Sequence, residues 1–133
     1  MKYMLDTNIC IYTIKHGSDQ VIHRLLEHEP EEVCISSITY YELMYGVEKS
    51  QAWERNHLAL ALFLSPITIL DYGEKAAEES GRVRAELERR GTPIGPMDIQ
   101  IAGHARSEGL ILVTNNTKHL SRLQGIQLEN WAV

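Results

Sequence analysis

Short apolar runs alternate with longer stretches of helical period along this chain. Residues 2–6 read as a first strand, and residues 8–16 as a short helix that Thr7 or Asn8 can cap. A second helix spans residues 19–29, with Ile22, Leu25 and Leu26 on one face, and a second strand spans 33–36. Residues 39–50 and 53–64 form a helical pair, stopped by Ser65-Pro66, because a residue before proline disfavours the helical region. Residues 67–70 are a third strand. The longest helix covers about 74–90, where Ala76, Ser80, Val83 and Leu87 recur at the helical period, and Gly91 ends it as a left-handed cap. The loop 91–95 leads into a helix with Pro96 at its first position. Residues 110–114 form a fourth strand, 117–123 a short helical turn and 126–130 an edge strand.

Strands separated by helices in this way predict an α/β fold with a mainly parallel sheet. At 133 residues, with no internal repeat, linker or low-complexity segment, the chain is expected to form a single domain over 1–133. Composition adds little to this: 44% hydrophobic and 23% charged residues are ordinary for a globular protein. The longest uninterrupted apolar run, residues 58–64, is too short to span a bilayer, and Asp6 and Asn8 interrupt any signal-like segment. The expected location is the cytoplasm, with no membrane association. Cys10 and Cys34 make no CxxC or metal-finger spacing and read as buried free thiols.

Charge sets a constraint on partners. A net charge of −5 argues mildly against a nucleic-acid ligand. Phosphate contacts depend on local field, however, and basic clusters stand at Arg82, Arg84, Arg89 and Arg90 and around Lys118. Those residues are candidate phosphate contacts, with solvated helix faces as the other explanation.

The candidate chemistry lies in isolated carboxylates. Asp6, Glu42 and Asp98 each sit in an apolar run at the edge of a predicted element, with no Lys or Arg adjacent in sequence. Sites in parallel sheets form outside the carboxyl ends of the strands. Asp6 ends strand one, Thr114, Asn115 and Asn116 end strand four, and Glu42 and Asp98 fall in the expected first turns of helices that start at the same edge. If the fold gathers the carboxylates, each pair repels by about 4 kcal/mol at about 4 Å in an effective dielectric of about 20, so a cation must join them. Oxygen-only ligands favour magnesium or manganese over zinc.

Each residue also has a local explanation. Thr39-Tyr40-Tyr41-Glu42 fits a capping box, Asp98 suits a helix dipole, Asp6-Thr7-Asn8 fits a cap cluster, and Asn115-Asn116 fits a turn. Capping alone does not explain why all of them map to one sheet edge. His16, His23, His28 and His57 fall on polar helix faces, while His104 either lines the cleft or packs structurally. Tyr40, Tyr41 and Tyr45 either stack on bases or pack in a core or dimer contact. Zinc-protease, P-loop, serine-hydrolase and dinucleotide motifs are missing from the sequence.

The segments Met4-Leu5-Asp6-Thr7-Asn8, Ile35-Ser36-Ser37-Ile38-Thr39-Tyr40-Tyr41-Glu42-Leu43 with Gly46, and Gly95-Pro96-Met97-Asp98-Ile99-Gln100-Ile101-Ala102 resemble the PIN-domain ribonucleases. More closely, they resemble the VapC toxins of bacterial type II toxin–antitoxin pairs. Leu112-Val113-Thr114-Asn115-Asn116 and Leu128-Glu129-Asn130-Trp131 extend the likeness over essentially the whole chain. The resemblance implies a PIN-like α/β/α sandwich and a magnesium-dependent endoribonuclease in which manganese can substitute. It also implies a homodimer, held inactive by a VapB-type antitoxin in a larger toxin–antitoxin complex. Asp6, Glu42 and Asp98 carry over as catalytic metal-site carboxylates, Thr114 as a catalytic hydroxyl, and Asn8 and Asn116 as supporting residues. Many PIN domains carry an acid where this chain has Asn116, which favours one bound metal over two. The implied substrate is structured RNA, tRNA foremost, with the initiator tRNA anticodon loop as the narrower expectation.

Two rivals stand beside this reading. One is a catalytically weak PIN-like module that binds RNA or a partner, to which the Asn116 departure points. The other is a phosphotransfer regulator or phosphatase of similar topology. That class wants paired acids around the first strand, where Asp6-Thr7-Asn8 supplies one.

Overall fold

The computed structural model describes residues 1–17 and 19–132. In it, β1 (Tyr3–Leu5), β2 (Val33–Ser36), β3 (Thr68–Leu70), β4 (Ile111–Val113) and β5 (Gln127–Glu129) form a five-stranded sheet in the order β3-β2-β1-β4-β5. Every pairing is parallel, with Met4 opposite Cys34 on one side and opposite Leu112 on the other. The helices are α1 (Thr7–His16), α2 (Asp19–Leu26), α3 (Ser37–Glu48), α4 (Trp53–Leu64), α5 (Glu74–Arg89), α6 (Pro96–Ser107) and α7 (Thr117–Leu120).

The central strands are apolar on both faces because both faces are covered. Tyr3, Leu5, Val33, Ile35 and Val113 point to one core, which packs against α1, α2, α3 and α4. Met4, Cys34 and Leu112 point to the other, which Val83 and Leu87 of α5 and Ile101, Ala102 and Ala105 of α6 complete. This is the α/β/α sandwich that the resemblance implies.

Several boundaries move for local reasons. The second helix stops at Leu26 rather than residue 29, since Pro30 holds Glu29 extended (φ −68°, ψ 144°) and opens a 3-10 turn over Pro30–Glu32. The third helix starts at Ser37, two residues before the expected Thr39, because the Ser36 hydroxyl accepts the Ile38 N–H at 3.1 Å. Gly91 behaves as expected. At φ 69° it closes α5 with Gly91 N–H donating to Glu88 C=O and Thr92 N–H donating to Leu87 C=O, the paired bonds of a Schellman motif.

Cys10 and Cys34 are buried and unpaired. Burial pushes the Cys10 thiol well up and the Cys34 thiol to about 12, so both stay protonated and inert. His28, expected on a solvated face, instead stacks on Trp131 with ring centroids 5.4 Å apart. No helix among the described residues is long and apolar enough to cross a membrane.

Candidate active site

Asp6 leaves β1 in extended conformation, and its N–H still donates to Val113 C=O at 3.0 Å. Its carboxylate, rather than Thr7 or Asn8, caps α1: Oδ1 accepts the Ile9 N–H at 2.9 Å. The side chain is only 6% exposed. Its second contact is the hydroxyl of fully buried Thr114, one residue past β4. The Thr114 oxygen accepts the Asn116 N–H at 2.9 Å, which leaves the hydroxyl proton to be donated to Asp6. Asn116 thus supports the site through its backbone. Its side-chain amide makes no hydrogen bond among the described residues.

Glu42 is the sixth residue of α3, one turn further in than a capping box would put it. The capping explanation therefore fails, because the true cap at Ser36 moves the helix start. Glu42 Oε1 instead accepts the Thr7 hydroxyl at 2.6 Å, and Thr7 Oγ1 lies 3.2 Å from Thr39 Oγ1. A hydroxyl has one proton to give. With Thr7 donating to the carboxylate, Thr39 must donate to Thr7. This chain of hydroxyls ties the start of α1 to α3 and fixes the Glu42 carboxylate.

Asp98 is the third residue of α6, after the Gly95 cap and Pro96, and is half-buried. A carboxylate in that first turn is favoured by the helix dipole. Asn8 is exposed at the start of α1.

Asp6 feels the charges of the other two acids. Burial pushes the Asp6 carboxyl above the usual carboxylate range, the Thr114 and Ile9 hydrogen bonds oppose this, and the charges of Asp98 and then Glu42 push it further up. Burial alone raises Asp98. The site therefore gathers partly desolvated negative charge, and the donors are all oxygen. Among the described residues no three His, Cys, Asp or Glu side chains stand ready to hold an ion together. Magnesium fits such a place, since it commonly takes one or two carboxylates and keeps water in its other positions.

Glu42 and Thr7 open into a groove of ≈ 510 Å³ between α1, α3 and α4, whose rim carries Asn8, Lys15, Tyr41 and Lys49. Those two lysines escaped the sequence reading because neither lies in a basic cluster. Their helical phase was the available signal: Lys15 is seven residues from Asn8, and Lys49 seven from Glu42. The arginines singled out by clustering lie elsewhere. Arg82 pairs with Glu79 at 3.4 Å, Arg84 with Glu88 at 3.2 Å and Arg90 with Glu86 at 3.8 Å. Arg82 and Arg89 line a cleft on the outer face of α5, and Arg84 another between α5 and α6. Lys118 is exposed on α7. None of these five lines the groove that holds Glu42. His104 is buried, with Nδ1 2.8 Å from Ser36 Oγ and its ring edge-on to Tyr72. Burial holds it neutral, and it braces the start of α3 from behind.

A family model described as "PIN domain" matches residues 3–126. The chain is 52% identical over 132 residues to a protein of Shigella flexneri named tRNA(fMet)-specific endonuclease VapC, covering 99% of both. It is 50% identical over 131 residues to Ribonuclease VapC2 of Haemophilus influenzae, covering 98% of both. Among solved structures, a chain of DNA-bound VapBC from Salmonella typhimurium superposes with a TM-score of 0.93 at 50% identity over 98% of each chain. VapBC2 from Rickettsia felis, bound to a promoter DNA fragment, superposes with a TM-score of 0.90 at 44% identity, covering 98% of this chain and 99% of that one. With the fold, the gathered acids and these likenesses in agreement, the chain belongs to the VapC family of PIN-domain ribonucleases.

Proposed function

We propose that this protein is the toxin of a toxin–antitoxin pair, a magnesium-dependent endoribonuclease acting in the cytoplasm on tRNA, with the initiator tRNA as its preferred target. The observation that carries the reading is the buried Asp6 carboxylate at the carboxyl edge of a parallel sheet, close enough to Asp98 and Glu42 to feel their charges, where a divalent cation would neutralise it. The substrate follows from the relatives named as tRNA(fMet)-specific endonucleases at about half identity over nearly the full chain. Residues 1–133 act in this reading as one PIN unit, and manganese can replace magnesium.

Asp6 and Asp98 would hold the ion. When bound, it supplies a lowered water pKa and charge stabilisation at the phosphoryl and leaving oxygens. The chain's own residues do the rest. Thr114 keeps the Asp6 carboxylate in one orientation while the backbone of Asn116 sets the direction of the Thr114 proton. The relay Thr39–Thr7–Glu42 presents the free oxygen of Glu42 to the cleft, where it accepts a proton from an attacking water. Water attack on phosphorus with the P–O3′ bond breaking, the 3′ oxygen leaving with a proton, gives 5′-phosphate and 3′-hydroxyl ends. Asn116 adds no charge, which fits a single bound ion.

The same acids would attract a basic segment of an antitoxin of VapB type, whose Arg or Lys would displace the ion. Solved relatives named VapBC support that partner. A homodimer completes the proposed assembly.

The test is cleavage of total tRNA by purified, partner-free protein with magnesium, with chelator, and with Asp6→Ala. Discrete cuts that need both metal and Asp6, with 5′-phosphate ends, are the expected result. RNA left equally intact by wild type and variant, in tRNA and in a second RNA pool, overturns it in favour of a binding module.

A further inference from the structure

A nuclease must hold its strand as well as cut it, and the clustered arginines of α5 are turned to other clefts and mostly matched by glutamates of their own helix. The groove beside Glu42 offers a different set of groups. α1 and α3 both leave the carboxyl edge of the sheet, since each follows a strand of the parallel array. Along α1, the row Asn8, Ile11, Lys15 runs away from the carboxylates for about 10 Å, and along α3 the row Tyr41, Tyr45, Lys49 runs for about 12 Å. The groove is therefore polarised, with Glu42 at the end nearer the sheet edge and two lysines farther along its helices.

Lys15 and Lys49 have no ion pair among the described residues. Lys49 Nζ lies over the Tyr45 ring at 4.8 Å, which steadies the ammonium without neutralising it. Tyr41 is 59% exposed on the rim and makes no ring contact among the described residues. An aromatic face open to solvent in one groove with unpaired cations is the pattern that binds single-stranded nucleic acid, bases on the ring and phosphates on the cations. A basic peptide would suit the acidic end but be repelled by the lysines. A phosphodiester strand suits both ends, with a cation joining it to the acids.

We propose that the groove between α1 and α3 is the seat of a single-stranded RNA substrate, with Lys15 and Lys49 contacting phosphates and Tyr41 stacking a base beside the scissile bond. This rests on the ribonuclease reading above, and it names residues that determine binding rather than the chemical step.

The experiment compares wild type with Lys15→Ala/Lys49→Ala, Tyr41→Ala, Tyr41→Phe and Arg82→Ala/Arg84→Ala/Arg89→Ala. Matching circular dichroism and Tm are the condition for including each variant. Binding of labelled oligo(U) in chelator is measured against salt, alongside kcat and KM for cleavage of total tRNA in magnesium. The double lysine variant should flatten the slope of log affinity against log salt by about 1.4, two single-strand phosphate contacts' worth. Its KM should rise about tenfold while kcat stays within about twofold, the mark of a lost uniform binding contact. Tyr41→Ala should weaken oligo(U) about tenfold and Tyr41→Phe should retain it, because stacking needs the ring and not the hydroxyl.

An unchanged salt slope in the lysine variant, or the slope change appearing in the α5 variant instead, overturns the proposal. So does an unchanged RNA slope accompanied by lost affinity for polyglutamate, which would make the groove a peptide site. If wild type cuts no RNA, the ribonuclease reading fails while the chelator titration still decides whether these residues hold the strand.

Discussion

Thr7 Oγ1 donates to Glu42 Oε1 across 2.6 Å, joining residues 35 positions apart in sequence. Thr7 follows Asp6 directly in sequence and lines the groove, and its hydroxyl is itself held by Thr39. The contact is charge-assisted and part-buried, so it does more to fix the Glu42 carboxylate than a surface hydrogen bond would.

Replacing Thr7 by Val keeps the shape and removes the proton. A hydrogen bond to a charged group contributes about 1.5–3 kcal/mol, so cleavage should fall roughly ten- to hundredfold in kcat. Thr7→Ser should restore most of it. Tm and KM separate positioning from packing: a variant that keeps both near wild type while kcat falls has lost the orientation of Glu42. A Thr7→Val variant with wild-type kcat would show that the contact has no part in catalysis.

Asp6 sets stability against function. Its folded-state proton affinity is raised, chiefly by burial. A raised acid binds more protons folded than unfolded, so its contribution to stability is greatest below the ordinary carboxylate range. That contribution is lost as pH rises through the folded-state value, and Asp98 acts in the same direction. At neutral pH, Asp6→Asn removes the penalty yet keeps an oxygen to cap α1. We expect this variant to have a higher Tm than wild type in chelator, and to cut no RNA. Asp6→Ala should lose the cap as well, costing about 1 kcal/mol relative to Asn.

Magnesium should reverse that order. An ion that binds only the folded state stabilises by mass action. Titrating magnesium should therefore raise the Tm of wild type and leave Asp6→Asn nearly unmoved, as read by scanning calorimetry at neutral pH. Equal shifts in both proteins would place the ion away from Asp6.

Gly103 of α6 faces Ser80 of α5 with no room for a side chain: a Cβ there would lie 2.6 Å from Ser80 Cα. Backbone cannot yield as a flexible side chain does. Gly103→Ala should destabilise by about 1–3 kcal/mol through forced separation of the two helices. Gly46→Ala, where a Cβ would meet nothing within 4 Å, is the control and should leave Tm unchanged or slightly raised. Denaturant unfolding of the two variants makes the comparison.

Arg106 holds α6 to its neighbours. Its Nε and Nη2 donate to Glu79 Oε1 at 3.1 and 2.8 Å, and Nη1 donates to Glu86 Oε2 at 3.1 Å and to Gln124 C=O at 2.9 Å. With 13% of the side chain exposed, removing it strands two partly buried glutamates. Arg106→Ala should cost about 3 kcal/mol, and Arg106→Lys should recover only part because an ammonium cannot serve three directions in one plane. A Tm for Arg106→Lys equal to wild type would show that charge alone suffices.

Apolar runs and helical periods along the chain were enough to determine the alternation of strands and helices, the parallel α/β class and the sheet edge at which Asp6 and Asp98 would meet. These follow from local rules: burial on both faces makes a strand wholly apolar, and Pro96 and Gly91 mark ends by their own backbone limits. The motifs of Asp6, Glu42 and Asp98 were legible as well, because each interrupts an apolar run. The tertiary structure decided what those acids touch. Ser36 rather than Thr39 begins α3, which frees Glu42 from capping and turns it toward Thr7. It also decided which cations border the cleft. Clustering drew attention to the arginines of α5, but charge density along a chain does not tell which face of which helix borders a groove. Lys15 and Lys49, isolated in sequence, meet there only because α1 and α3 pack side by side.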